Sequence, residues 1–115
     1  MVRLAIFLAL VACRGGAGDA APPCSAVAAR FIDLARADLA HAKVDEVTSR
    51  MVFDQLPALR DSLAHACTSG KWSAATRNCL VHANDRVGFE TCEQQLTDEQ
   101  RRDLDRATRA TPETP

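Results

Sequence analysis

Five cysteines in a chain of 115 residues, at positions 13, 24, 67, 79 and 92, constrain the possible folds more than any other feature. A body this short buries too little apolar surface to be comfortably stable, so cross-links of a few kcal/mol weigh heavily. An odd number cannot pair completely within one chain. Cys13 stands apart, directly behind the apolar run Leu4–Ala12. Setting it aside leaves Cys24, Cys67, Cys79 and Cys92, an even set with three possible pairings.

Helical periodicity narrows the choice. In residues 24–42, Cys24, Val27, Ala28, Phe31, Leu34, Ala35 and Leu39 recur three or four apart on one face, with Arg30, Asp33, Arg36 and Asp38 largely off it. A second helical stretch runs from about Asp45 to Thr68, with Val47, Met51, Val52, Leu56, Leu59, Leu63 and Cys67 as its apolar stripe and Gly70 as its stop. Pro57 predicts a kink there or a split into 45–55 and 57–68, because proline lacks the backbone donor and crowds the preceding turn. Ser73 is an N-cap for a third helix to about Ala83, Asn84-Asp85 forms a turn, and a fourth helix covers about 86–96. Thr97 and Gln100 form a capping box for a last, lightly packed helix anchored by Leu104. Folded as hairpins, the first two helices bring Cys24 and Cys67 to one open end. The next two place Cys79 and Cys92 at one height across their turn. The expected pairing is therefore Cys24–Cys67 and Cys79–Cys92. The fold class is all-α: a small disulfide-stapled bundle of two antiparallel hairpins plus a C-terminal helix, spanning 24–107 and followed by a disordered tail, 108–115.

The amino terminus carries an address. Met1-Val2-Arg3 is a minimal basic start, and Leu4–Ala12 is too short for a permanent membrane span, which needs about 20 apolar residues. It has the length of a signal-peptide hydrophobic region. Leu10-Val11-Ala12-Cys13 resembles the lipobox of bacterial lipoproteins, which implies a signal peptide over 1–12, removed after lipidation of Cys13. Residues 13–23 then read as the lipidated cysteine and a flexible tether, rich in Gly, Pro and small residues. The localisation that follows is a bacterial envelope protein, lipid-anchored to a membrane and facing the periplasm or the exterior. Other readings are a secretory signal cut near Ala17 or Ala20, or a buried amino-terminal helix of a cytosolic protein.

Signals for chemistry are sparse. The sequence has no HExxH, GxSxG, CxxC or Gly-rich phosphate loop, so zincin, hydrolase-elbow, thioredoxin-type and nucleotide-binding readings lack support. Fourteen basic against fifteen acidic residues give no electrostatic footprint for nucleic acid. One constellation suits a metal: Cys79 and His82 share a helical face and, with Cys67 and Cys92, could make a tetrahedral zinc site. The same thiols pair with one another where oxidation is permitted. His41 and His65 lie near helix ends and read as solvated or capping residues. Trp72 could anchor a partner, or pack on the domain as a staple ahead of Ser73. Glu90 and Glu93 read as a solvated acidic face. The spacing of Cys67, Trp72, Cys79-Leu80, Cys92 and Leu96 resembles small uncharacterised helical secreted proteins of myxobacteria, a likeness that implies no activity. The leading expectation is a non-enzymatic envelope component without cofactor, binding another envelope protein or serving a structural role. A periplasmic metal-binding domain and a small enzyme or enzyme inhibitor are the alternatives.

Overall fold

The computed structural model describes residues 21–109. Residues 1–20, which include the expected signal segment 1–12, Cys13 and most of the expected tether, and residues 110–115 lie outside the described residues. Five helices follow in order: α1 (Cys24–His41), α2 (Glu46–Ser69), α3 (Ala74–His82), α4 (Arg86–Glu93) and α5 (Asp98–Arg109), with no strand among the described residues. None of them is long and apolar enough to cross a membrane.

Two disulfides join the expected pairs, Cys24–Cys67 and Cys79–Cys92, each with a Cα–Cα separation of 5.7 Å. The first closes the open end of the α1–α2 hairpin and the second ties α3 to α4. The α3–α4 hairpin packs on α1, whereas α5 packs on α2. Val27, Ala28, Leu63, Ala66, Cys67, Trp72, Leu80, Phe89, Cys92, Leu96 and Leu104 form one core between them.

Local chemistry sets the helix boundaries. Asp45 accepts from the Thr48 amide at 2.6 Å, Ser73 from the Thr76 amide at 3.1 Å and Asp85 from the Gly88 amide at 2.7 Å, so α2, α3 and α4 each start on a side-chain cap. Hydrogen bonds from Thr48 hold the Asp45 carboxyl below its ordinary value. The capping box of α5 is complete. The Thr97 amide donates to Gln100 Oε1 at 2.9 Å, and the Gln100 amide donates to Thr97 Oγ1 at 3.1 Å. Gln100 has a second function, because its Nε2 donates to the Gly70 carbonyl at 2.8 Å and so fixes the start of α5 against the end of α2. Arg30 acts similarly across the bundle. Its Nε and Nη2 donate to the carbonyl of Ala83, the C-cap of α3, at 2.8 and 2.6 Å, satisfying an acceptor that the helix itself leaves open.

The structure departs from the sequence reading at five places. Helix α2 continues through Pro57, so of the two expected outcomes the split into 45–55 and 57–68 does not occur. Pro57 and Phe53, whose carbonyl loses its partner, both lie on the exposed side, so that carbonyl is not buried without a donor inside the core. The first turns of α2 are not covered: Val47 is 71% exposed and Met51 53%, since α5 and the α3–α4 hairpin gather around the other end of the bundle. Helix α4 ends at Glu93, and residues 94–96 continue in tighter bonds, with the Gln95 amide donating to Cys92 and that of Leu96 to Glu93, each at 3.0 Å. Residues 108 and 109, assigned to the tail, belong to α5, where Thr108 Oγ1 donates to the Leu104 carbonyl. Pro22, expected to belong to a flexible tether, is held as well, for Arg77 Nη1 donates to its carbonyl at 2.9 Å.

Candidate binding groove

Because α4 leans on α1 and α5 leans on α2, the bundle leaves a cleft along the line where these four helices face one another. Phe31 from α1 and Phe89 from α4 make its floor, with ring centroids 5.7 Å apart and planes tilted by 54°, an arrangement aromatic rings favour. Phe89 is buried and Phe31 half-buried, so the ring surface open to the cleft comes mainly from Phe31, backed by Phe89.

Two cavities meet over this floor and share Phe31, Leu59, Arg86 and Phe89. One, of about 210 Å³, extends between α1 and α2 over Leu34, Ala35, Val52 and Leu56. The other, of about 180 Å³, extends between α4 and α5 past Glu90, Glu93, Leu104 and Asp105. The groove is thus apolar at one end and acidic at the other. A third cavity, about 330 Å³, is lined by Glu46, Val47, Arg50, Met51 and Asp54. All five belong to α2, so it is the outer face of one helix rather than a concavity between elements.

Among the described residues lining the groove, Arg86 is the one basic side chain, and it is engaged. Its Nε lies 3.2 Å from Glu90 Oε1, and its Nη1 lies 4.0 Å from Asp38 Oδ2 on α1. Glu93 is half-buried beside Glu90 and Asp105. Burial, then the charges of these two neighbours, raise its carboxyl above the ordinary value, with Arg86 acting in the opposite direction. The acidic end therefore holds more negative charge than Arg86 neutralises.

Of the residues singled out from the sequence as candidates for chemistry or binding, Glu90 and Glu93 reach the groove and the others fall elsewhere. Trp72 is 3% exposed and sits in the core, which removes it as an anchor for a partner. It does not act as a staple against an apolar residue either, because the facing position in α3 is Arg77, whose Nε donates to the Trp72 carbonyl at 3.2 Å. Cys67, Cys79 and Cys92 are consumed in disulfides, so the alternative zinc set with His82 loses its thiolates. His82 lies on the surface, with Nδ1 donating to the carbonyl of Asn78 in its own helix at 2.8 Å. No group of three or more potential metal ligands occurs among the described residues. His41 and His65 are exposed, His65 beside Ser69 at 3.3 Å. Cys13 lies outside the described residues.

Sequence reasoning missed the groove. Phe31, Leu59, Phe89 and Leu104 were visible as apolar residues, but nothing local shows that they meet. Glu90 and Glu93 form no simple solvated face: Glu93 is half-buried at the groove wall. The three-residue spacing of the two acids is the one local signal that could have pointed there. No protein family, curated protein or solved structure matches this chain.

Proposed function

We propose that this chain is a lipid-anchored component of the bacterial cell envelope whose helical body binds another protein through the groove between α1, α2, α4 and α5, without catalysing a reaction. The groove carries the reading: two abutting cavities on an aromatic floor, open to solvent and walled by four helices. Ligand sites are concavities of this kind, apolar with a few convergent polar groups. The envelope address rests on Leu10-Val11-Ala12-Cys13, and two disulfides suit an oxidising compartment. Two or three acyl chains on Cys13 would hold the body durably at a membrane, which one chain does not.

Photo-crosslinking in native membranes tests the binding role. A crosslinking residue placed at Glu90, on the groove wall, is expected to give a discrete adduct that Ala35→Phe abolishes by filling the apolar end, while the same residue at Lys43 gives none. Adducts that ignore the Ala35→Phe change would refute the assignment of the groove. For the address, Cys13→Ser is expected to abolish acylation and release the protein from membranes; unchanged mass and attachment would refute the anchor.

A further inference from the structure

We infer that the occupant of the groove is a cationic amphipathic helix of a protein partner, with apolar side chains seated on the Phe31–Phe89 floor and a basic side chain against Glu93 and Asp105. This rests on the reading of the groove as a protein-binding site and adds the chemistry of the partner.

Three observations lead to it. First, the groove is walled by helices alone. Among the described residues there is no strand whose edge could pair with an extended peptide. An occupant that gives up water must therefore satisfy its own backbone, which a helix does internally. Second, the two cavities share Phe31, Leu59, Arg86 and Phe89 and extend from them along different helix pairs, so the groove is elongated and offers neighbouring places for side chains. Adjacent sockets of this kind suit side chains one helical turn apart, which project from the same face. Third, the polarity is one-sided. Leu34, Ala35, Val52 and Leu56 line the far cavity and offer no charge, whereas Glu90, Glu93 and Asp105 line the near one.

Charge complementarity then fixes the sign of the partner. Arg86 is already engaged by Glu90 and Asp38, and the residues of α2 that line the groove carry no charge. Glu93 and Asp105 line the same cavity and neither is joined to a basic side chain by an ion pair among the described residues, although Arg86 opposes the charge of Glu93 and Arg102 and Arg109 stand one turn from Asp105 along α5. A lysine or arginine there relieves like-charge repulsion in a half-desolvated wall. A glutamate would add to it, so the groove discriminates against acidic helices.

The test uses the full acylated protein in nanodiscs of neutral phosphatidylcholine and three synthetic helical peptides with one apolar face of leucines a turn apart. The peptides differ in carrying Arg, Gln or Glu one turn beyond that face, and binding to empty nanodiscs is subtracted. By fluorescence anisotropy in dilute salt, the Arg peptide is expected to bind about tenfold more tightly than the Gln peptide, as one or two half-exposed ion pairs allow, and the Glu peptide more weakly than either. High salt, and independently the pair Glu93→Gln and Asp105→Asn, should remove most of that preference while leaving leucine-dependent binding in place. Ala35→Phe should weaken all three peptides. Equal binding of the Arg and Gln peptides, still lost on Ala35→Phe, overturns the cationic assignment and leaves the protein-binding role standing. If none of the three binds in a manner sensitive to Ala35→Phe, both readings fall.

Discussion

The two disulfides close loops of very different length, and their removal should cost correspondingly different amounts. Cys24–Cys67 spans 43 residues and Cys79–Cys92 spans 13. A cross-link restricts the unfolded chain by an amount that grows with the logarithm of the loop, which gives about 4 kcal/mol for the longer and about 3 kcal/mol for the shorter. Each pair contains one buried sulfur, Cys67 or Cys92, and one half-buried sulfur, Cys24 or Cys79. The packing lost on alanine substitution is therefore similar, and the difference between the variants isolates the loop contribution. A domain of this size has a stability on the order of 5–10 kcal/mol, so Cys24→Ala/Cys67→Ala should remove about half of it or more. Urea unfolding followed by circular dichroism measures this directly. We expect both doubles to unfold at lower urea, the 24/67 variant losing about 1 kcal/mol more than the 79/92 variant. Both slopes should steepen, because an unlinked chain exposes more surface on unfolding. Equal losses, or a larger loss for the 79/92 variant, would refute the loop-length account.

Gln100→Glu keeps the capping box but replaces the donor to the Gly70 carbonyl with a carboxylate facing that oxygen. The expected loss is about 1–3 kcal/mol in urea unfolding, and a neutral result would show that α5 is not held through this bond. At Gly70, an added Cβ would lie 2.8 Å from the Ala66 carbonyl oxygen and 3.0 Å from Trp72 Nε1. Gly70→Ala should therefore destabilise by about 1–3 kcal/mol despite a backbone conformation any residue adopts, and an unchanged unfolding midpoint would argue against so close an approach. Glu93 binds its proton more tightly in the folded chain than in the unfolded one, so its ionisation weakens the fold above its raised pKa. That penalty fades as pH falls through the raised value toward the ordinary 4.5. Glu93→Gln should accordingly stabilise at neutral pH and lose that advantage in acid. The same gain at both pH values would point to a cause other than titration.

Local features were legible in the sequence because local chemistry produces them. The Ser73 cap, the Thr97–Gln100 box and the stop at Gly70 need only neighbouring residues. The disulfide pairing followed from helical register, which fixes the height of each cysteine along its hairpin. Features that depend on which helices meet were not legible. Val47 and Met51 continue an apolar stripe that Leu56 and Leu63 bury, yet they are left in water because nothing packs over that end. Pro57 carries the same intrinsic penalty wherever it falls, and only its position on the wet side of α2 lets the helix run on. The groove unites Phe31 with Phe89 and Glu93 with Asp105, from elements whose contact no periodicity encodes.

The position of the Cys24–Cys67 bond also governs how the domain bears load. A pull arriving along the amino-terminal segment meets Cys24 at the first residue of α1, where a covalent link passes it directly into α2. Tension therefore bypasses the length of the hairpin and cannot peel α1 away turn by turn. Phe31 lies seven positions beyond that junction, sheltered from the stretched portion of the chain. The helices that wall the aromatic floor would thus keep their form under a pull applied at residue 24.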